Sequence, residues 1–294
     1  MTDDNSNKGE RIAKVMARAG LCSRREAERW ITDGRVKVDG KTIDTPATLV
    51  TSANTVEVDG KPLPQAQEAM LWRYHKPPGL VTTHKDEQGR QTVFDTLPPR
   101  LGRVISVGRL DLNSEGLLLL TNDGGLAREL ELPSTGWIRT YRVRVFGHVT
   151  DDMLESLKDG LTVDGVKYGS IDARIEKKTG RNAWLIVSLA EGKNREIRRV
   201  MEHLDLQVNR LIRQSYGPFR LDDLDRGDVA PVPRRQMIDQ LGLKLEGASE
   251  PPKKTSKAGW AKSKTKPKAR PKAKKPVGKK PMGKKPGKPR KPRK

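Results

Sequence analysis

The alternation of apolar and polar positions in the first sixty residues predicts two helices and two hairpins. Apolar residues recur at helical spacing over residues 10–20, which predicts a short amphipathic helix. Ser23 followed by Glu26 has the capping-box pattern that begins a second helix. Alternating stretches at residues 36–43 and 56–61 each surround an Asp-Gly pair, a strong hairpin signal. The pattern therefore indicates a small N-terminal module.

Strand patterns dominate the rest of the folded chain, and helical patterns are sparser. Because the strands do not alternate regularly with helices, a doubly wound parallel sheet is disfavoured. We predict an α+β fold with a small domain at residues 10–62, a linker at 63–70 and a mixed, largely antiparallel domain at 71–247. The predicted strands are 71–75, 80–83, 104–107, 117–121, 141–146, 171–175 and 184–189, and the predicted helices are 150–158, 196–204 and 235–241.

Composition separates a C-terminal tail from the body of the chain. The hydrophobic fraction of 34% and the mean hydropathy of −0.74 are too low for a uniformly globular chain. Residues 251–294 contain 20 Lys or Arg and no acid, so this segment carries +20 of the net charge of +22. Its Lys-Lys-Pro repeats offer little apolar surface to offset the entropy lost on ordering. We predict that residues 248–294 are disordered.

Several classes of protein are disfavoured by the sequence. The single cysteine, Cys22, cannot form an intramolecular disulfide, which fits a reducing compartment. Residues 1–10 lack the pattern of a signal peptide, and the longest apolar run, 117–120, is far shorter than the roughly 20 residues of a membrane helix. The sequence has no Walker A loop, GxGxxG or GxSxG, and its four histidines are widely spaced. We expect a cytoplasmic protein without a membrane segment, metal site or cofactor.

A polar loop between two apolar stretches is the candidate for chemistry. It lies within the run VGRLDLNSEGLLLLTNDG at residues 107–124. Apolar flanks can hold such a loop rigid and present Asp111 to a ligand, while Gly108 and Gly116 allow close backbone approach. From spacing alone, an Arg-Asp ion pair in a structural turn is the favoured interpretation, because such pairs are common.

The segment GRLDLNSEGLLLLTNDG resembles the catalytic motif of pseudouridine synthases, in the branch containing the ribosomal small-subunit enzyme and large-subunit enzymes B, E and F. Residues 19–27 resemble the S4 RNA-binding domain that precedes the catalytic domain in this branch. Further segments resemble this branch in the same order: KPPGLVTT at 76–83, RTYRV at 139–143, EGKNREIRRVM at 191–201 and VNRLIR at 208–213.

The resemblance implies the roles of individual residues. Asp111 is the implied nucleophile, Tyr141 packs against the target base and moves a proton, and Arg198 pairs with the aspartate, with Arg195 and Arg199 as near alternatives. The reaction breaks a C–N glycosidic bond and rejoins ribose to C5 of the same base, so it needs no redox partner, metal or cofactor. Attack on the base, attack on the sugar and departure of the base before recapture all stay open. Tyr141 is also explained as a core strand residue.

The resemblance also implies two basic surfaces for RNA. Acids and bases are about equal in number in the N-terminal module, so charge alone would equally explain its basic residues as a solvated helix face. The surface in this module comprises Arg24, Arg25, Arg29, Arg35 and Lys37. The surface beside the implied active site comprises Lys193, Arg195, Arg199, Arg210 and Arg213, and Arg109 would fill the gap left by a flipped nucleotide.

We therefore expect a monomeric rRNA pseudouridine synthase. The tail and residues 208–217 lean towards the large-subunit enzyme B group, so the expected partner is 23S rRNA or a large-subunit assembly intermediate. One alternative is a non-catalytic RNA-binding protein of ribosome assembly, against which the intact Asp111, Tyr141 and Arg198 argue. Another is a DNA-compacting protein with a tail similar to that of linker histones, and binding to any duplex without preference for rRNA would favour it.

Overall fold

A computed structural model describes residues 9–241, so the predicted tail at 248–294 lies outside the described residues. The N-terminal module contains the two predicted helices and both predicted hairpins. Its elements are β1 (Glu10–Arg11), α1 (Ile12–Arg18), α2 (Arg24–Thr32), β2 (Val36–Val38), β3 (Lys41–Thr42), β4 (Leu49–Val50), β5 (Val56–Val58) and β6 (Lys61–Pro62).

Local sequence signals account for most of this module. The capping box is present, because Ser23 Oγ accepts a hydrogen bond from Glu26 N at 3.1 Å and the Glu26 side chain bonds back to Ser23 N. Asp39 and Asp59 have positive φ angles of 49° and 51° in the two hairpin turns, as the Asp-Gly pairs predict. Strands pair in the order β3-β2-β5-β6, and apolar residues of both helices and of β2 and β5 form one buried cluster.

The second module is built on one large sheet flanked by helices. Its strands are β7 (Leu71–Lys76), β8 (Ile105–Val107), β9 (Glu115–Thr121), β10 (Arg139–Phe146), β11 (Leu161–Val163), β12 (Val166–Tyr168), β13 (Ile171–Thr179), β14 (Asn182–Leu189), β15 (Gln207–Tyr216), β16 (Phe219–Arg220) and β17 (Val229–Pro231). Its α-helices are α3 (Gly124–Glu131), α4 (Asp151–Glu155), α5 (Glu196–His203) and α6 (Arg234–Leu241), and its 3-10 helices are Phe94–Thr96, Pro99–Leu101, Pro133–Thr135 and Ser156–Asp159.

The strand order is β13-β14-β10-β15-β9-β7-β17, with β8 paired to β9 and β16 paired to β15. Only the β15–β9 pair is parallel among the pairs of this sheet in the described residues. The predicted α+β fold with a mixed, largely antiparallel sheet is therefore confirmed. None of the helices in residues 9–241 has the length and apolar character needed to cross a bilayer.

Strand β9 is buried on both faces, which explains its uninterrupted apolar run. Leu118 and Leu120 belong to the cluster covered by α4 and α5, whereas Leu117 and Leu119 belong to the cluster covered by α3 and α6. Successive side chains of a strand point to opposite faces, so both faces of the sheet are covered here. The loop that enters β9 is consequently attached to the most buried part of the module.

Three predictions of local structure differ from the structure. The predicted strand at 80–83 forms only one isolated bridge, because its polar groups bond to the loop before β9 instead. Helix α3 was not predicted, since Gly124 and Gly125 disfavour helix, but the Asp123 side chain caps its first turn. The β11–β12 hairpin was also missed, although the turn residue Asp164 precedes a glycine as in the N-terminal hairpins.

Candidate active site

The polar loop at residues 108–114 connects β8 to β9, two antiparallel neighbours in the sheet. Gly116 follows it at the point where β9 runs beside β15. A β-carbon at Gly116 would lie 2.3 Å from the carbonyl oxygen of Arg213, and the φ angle of Gly116 is +104°. Only glycine fits this close approach, so the position of the loop depends on Gly116.

The buried side chain of Lys76 fixes the backbone of the loop at residues 108–114 by hydrogen bonds. Its side chain is fully buried at the end of β7, and Nζ donates to the carbonyl oxygens of Pro77 at 3.0 Å, Asp111 at 3.2 Å, Leu112 at 3.4 Å and Ser114 at 2.9 Å. Burial lowers the pKa of Lys76 to about 8, against the opposing charge of Asp111. The motif KPPGLVTT contains Lys76 but gives it no role, and its location at an inward position of β7 was the available signal.

Further hydrogen bonds from residues 79–82 and from α3 fix the backbone of the same loop. Thr82 Oγ1 donates to the carbonyl oxygen of Leu110 at 2.9 Å, and Gly79 N donates to the carbonyl oxygen of Leu112 at 2.8 Å. At the start of the loop, Gly108 N donates to the carboxylate of Glu131 in α3 at 2.6 Å. These bonds fix the backbone of the loop, so its carboxylate is presented from a rigid support.

Asp111 and Tyr141 line the same cleft, which has a volume of about 230 Å³. About a third of the Asp111 side chain is exposed, so a ligand can reach its carboxylate. Tyr141 lies on β10, with Val187 of β14 on one side and Arg213 of β15 on the other, and is nearly buried. Two residues that are 30 positions apart in sequence and were predicted to act together therefore meet in one cleft.

The arginine that forms an ion pair with Asp111 is Arg195, the near alternative to the predicted Arg198. Arg195 Nη1 lies 3.7 Å from Asp111 Oδ2. Arg198 instead donates to the carbonyl oxygens of Asn113 at 3.0 Å and Val208 at 3.2 Å, and its burial lowers the pKa of its guanidinium. Arg195 precedes α5 with a φ of 51°, which directs it to the cleft, whereas Arg198 lies almost one turn further along the helix.

Three residues that line the cleft keep a buried polar atom without a hydrogen-bond partner in residues 9–241. These atoms are Ser114 Oγ, Glu196 Oε1 and Arg213 Nη2, and each side chain is at most 4% exposed. Burial also raises the pKa of the Glu196 carboxyl. An unpaired buried polar atom is destabilising, so these three atoms lower the stability of the wall behind the cleft.

Two of the predicted RNA-binding arginines beside the site have other partners. Arg210 binds the buried carboxylate of Glu115 through two nitrogens at 2.5 and 3.1 Å, and Arg226 binds the same carboxylate at 2.9 Å. Arg213 is buried, and its Nε donates to the carbonyl oxygen of Leu117 at 2.7 Å. Their side chains brace β9 against β15, and Arg213 also lines the cleft, so their predicted role in RNA binding stays a prediction.

The remaining predicted residues are placed as follows. Arg109 and Lys193 line the cleft and are exposed, although Lys193 pairs with Glu191 at 2.8 Å. Arg199 is half-buried and is not among the residues that line this cleft. Among residues 9–241, no three His, Cys, Asp or Glu side chains come together as metal ligands.

The basic residues predicted in the N-terminal module are all exposed. Arg35 pairs with Asp59 at 2.6 Å and its guanidinium lies 4.6 Å from the centre of the Trp30 ring. The others carry no ion pair in the described part of the chain, and they are Arg24, Arg25 and Arg29 on α2 and Lys37 on β2. This module therefore offers several unpaired cations to a polyanion.

Comparison with known proteins defines the class of protein. Residues 71–203 match the RNA pseudouridylate synthase family, and residues 10–62 match the S4 domain. A crystal structure of a pseudouridylate synthase has a similar fold, with a TM-score of 0.55 at 23% identity over 78% of this chain and 99% of that one. Together with the relatives described next, these matches show that the chain belongs to the RNA pseudouridine synthase family, as its motifs predicted.

Similar proteins from individual organisms cover most of this chain. A Rickettsia felis protein named as an uncharacterized RNA pseudouridine synthase is 52% identical, over 74% of this chain and 94% of that protein. The ribosomal large subunit pseudouridine synthase B of Haemophilus influenzae is 44% identical, over 72% of this chain and 61% of that protein. The protein of the same name from Pseudomonas aeruginosa is 41% identical, over 80% of this chain and 64% of that protein.

Proposed function

We propose that this enzyme isomerises a specific uridine of large-subunit (23S) rRNA to pseudouridine, with Asp111 as the nucleophile. The observation that carries the proposal is the accessible Asp111 carboxylate, which faces a cleft shared with Tyr141 and lies 3.7 Å from Arg195. A reachable carboxylate can act as a nucleophile, and Arg195 places a positive charge beside it.

The reaction is an isomerisation that uses no other reactant. Asp111 attacks either C6 of the base or C1′ of the ribose, or it stabilises the sugar as the base departs. The C1′–N1 bond breaks, the base turns within the cleft, and C1′ bonds to C5. A bond from Asp111 to C1′ breaks as the C1′–C5 bond forms, and a bond from Asp111 to C6 breaks by elimination afterwards, so the free carboxylate is restored. The C5 proton is then lost and N1 gains a proton, so atoms and electrons balance. The rigid loop maintains the carboxylate at the reacting carbon through these steps.

The walls of the cleft suit a uracil base. A flipped base loses a few kcal/mol of stacking, and packing against Tyr141 offsets part of this loss. Uracil offers two carbonyl acceptors and one N3–H donor. Ser114, Glu196 and Arg213 line the cleft, and their hydroxyl, carboxyl and guanidinium groups are of the kinds that complement these atoms of uracil.

The names of the Haemophilus influenzae and Pseudomonas aeruginosa relatives support the large subunit as the target. The S4 domain supports binding to folded RNA. The Asp111 pairing with Arg195 also replaces the pairing we predicted for Arg198, so Arg195 takes the role of counter-ion in this proposal.

The test is release of tritium from RNA labelled at C5 of uridine, because bond formation at C5 expels this hydrogen. The full-length chain would be incubated, in buffer with a metal chelator, with labelled 23S transcript, 16S transcript and large-subunit precursor particles. We expect release from 23S rRNA, either free or in the particles. Release from 16S rRNA alone would overturn the proposed target, and no release from any of the three would overturn the proposed activity.

A further inference from the structure

A second cleft lies between the N-terminal module and α3, away from the residues proposed for catalysis. Its volume is about 410 Å³. Both modules contribute to its walls, and they belong to one compact unit of the chain. The cleft is lined by five basic side chains, which are Lys14, Arg18, Arg24, Arg103 and Arg128.

The acidic residues of the second cleft form no ion pair with these cations in the described residues. The Asp123 carboxylate accepts hydrogen bonds from Gly125 N at 2.7 Å and Leu126 N at 2.8 Å, where it caps α3. The Glu131 carboxylate accepts the bond from Gly108 N. Both acids are therefore committed to backbone groups.

Three of the five cations are unpaired. Lys14 and Arg18 both pair with Glu10 in the N-terminal module. Arg24, Arg103 and Arg128 form no ion pair and no side-chain hydrogen bond within residues 9–241. Unpaired guanidinium groups in a concave surface are suited to oxyanions, which accept two parallel N–H bonds from each guanidinium.

Contacts across the second cleft bring these charges together. Arg24 of α2 reaches the first turn of α3, where a β-carbon added to Gly124 would lie 3.4 Å from Arg24 Nη2. Arg103 belongs to the second module, yet its charge acts on Cys22 in the N-terminal module. Burial raises the pKa of the Cys22 thiol to about 11, and Arg103 opposes that rise. The cations therefore come from both walls of one groove.

The second cleft is adjacent to the active-site cleft. Glu131 lines both clefts, and its bond to Gly108 joins α3 to the first residue of the catalytic loop. The two clefts therefore share a wall residue, so one RNA strand that enters the active-site cleft passes close to the second cleft.

We propose that the second cleft binds phosphate groups of the same RNA strand whose target base enters the active-site cleft, through Arg24, Arg103 and Arg128. These contacts carry no base specificity and set the register of the strand. The inference rests on the proposed RNA substrate, but not on the identity of the uridine or on the role of Asp111.

The test compares two double variants of the full-length chain. Arg103→Ala/Arg128→Ala removes two cations from the second cleft. The control, Arg220→Ala/Arg235→Ala, removes two exposed arginines that line neither cleft. The dissociation constant of a fluorescein-labelled oligouridine is measured by anisotropy as a function of KCl. Both variants lose two positive charges and keep residues 251–294, so any difference in RNA binding between them comes from the location of the substituted arginines.

A plot of the logarithm of the binding constant against the logarithm of the KCl concentration has a slope that reports the number of phosphate contacts. We expect Arg103→Ala/Arg128→Ala to reduce the magnitude of this slope by about 1.4, because each phosphate contact on a single strand contributes about 0.7. If the variant and the wild type bind equally at about 1 M KCl, this change of slope makes the variant bind about 25-fold more weakly at about 0.1 M KCl. The control should change the slope far less. Thermal midpoints establish that both double variants are folded. Equal salt slopes in the two folded variants would overturn the proposed site. If Arg103→Ala/Arg128→Ala does not fold, the single variant Arg128→Glu, at an exposed helix position, repeats the test.

Binding measured in this way does not depend on turnover. If no uridine is isomerised, the proposed function fails while the salt slope still reports on the second cleft. In the active enzyme, Arg103→Ala/Arg128→Ala should raise the RNA concentration that gives half-maximal rate and leave the single-turnover rate at saturating RNA unchanged. A lower saturating rate with unchanged affinity would contradict a phosphate-binding role.

Discussion

The polar loop at residues 108–114 and helix α2 both carry charged residues that the sequence singled out, but the two regions differ in how those charges are held. The loop is fixed by the buried ammonium of Lys76 and by strands on either side. The arginines of α2 are exposed and, apart from the cleft contact of Arg24, extend into solvent. Rigid presentation of one carboxylate suits chemistry, whereas several exposed cations suit binding of a polyanion. The two regions should therefore respond differently to substitution.

The largest effect is expected from Asp111→Asn. Asparagine preserves the shape of the side chain and removes the charge, so activity should fall by about 10⁴-fold or more without unfolding. Asp123→Asn is the matched control, because asparagine caps a helix about as well as aspartate. Single-turnover tritium release measures both variants. Residual activity above about a tenth of wild type in well-folded Asp111→Asn would contradict the proposed nucleophile.

A smaller loss is expected from Lys76→Met. Without the ammonium, the carbonyl groups of Asp111, Leu112 and Ser114 lose their donor and the loop shifts. A displacement of about 1 Å can reduce a rate about 100-fold, and we expect a loss of this order in the single-turnover rate. Lys85→Met, an exposed site, is the control. Wild-type activity in folded Lys76→Met would show that the loop does not need this support.

Lys76 also predicts a pH dependence of stability. Its pKa is about 8 in the folded chain, below the ordinary value of 10.5, so the unfolded chain binds more protons between these values. The free energy of unfolding should therefore rise with pH from about 8 to about 10.5, relative to Lys76→Met, by at most about 3 kcal/mol. Denaturant unfolding across this range measures the difference. A difference that is constant or falls with pH would contradict the burial of a charged lysine.

Arg195→Ala and Arg198→Ala should distinguish the positive charge beside Asp111 from the hydrogen bonds that hold the loop backbone. Arg195→Ala removes the cation beside Asp111 and should lower the rate about tenfold with little change in stability. Arg198→Ala removes bonds to the carbonyls of Asn113 and Val208 and should lower the free energy of unfolding by about 1–2 kcal/mol. Arg199→Ala is the control. If Arg198→Ala lowered the rate at constant stability while Arg195→Ala did nothing, Arg198 would be the counter-ion of Asp111.

The smallest effect on chemistry is expected from removing residues 251–294. This segment carries +20 and none of the proposed catalytic residues, so its loss should weaken RNA binding more at low salt than at high salt. The single-turnover rate at saturating RNA should be unchanged. Unchanged affinity together with an unchanged salt slope would exclude this role for the tail.

Local signals in the sequence predicted much of the fold. The Asp-Gly turns and the capping box at Ser23 identified the N-terminal elements, because these features act over a few residues. The run of leucines in β9 indicated a strand buried on both faces. Helix α3 was not predicted because its stability depends on the Asp123 cap and on packing against the sheet, which outweigh the low helix propensity of two glycines.

The candidate site was only partly predictable for a related reason. The resemblance placed Asp111 and Tyr141 correctly in one cleft, since each lies in a distinct motif. It could not distinguish Arg195 from Arg198, because both lie in one motif and the left-handed backbone at Arg195 determines which side chain turns towards the aspartate. The second cleft could not be predicted at all, since it depends on how two modules pack.

The central claim is that the loop at residues 108–114 supports the chemistry while the basic residues of α2 bind the RNA. Its most direct test determines two quantities together, the RNA affinity and the single-turnover rate at saturating RNA. The two variants compared are Asp111→Asn and Arg24→Ala/Arg25→Ala/Arg29→Ala. We predict a crossed result. Asp111→Asn should lose the rate and keep the affinity, whereas the triple variant should lose affinity in a salt-dependent manner and keep the rate at saturation. If both quantities fell together in either folded variant, the separation of the rigid catalytic loop from the basic RNA-binding surface would be contradicted.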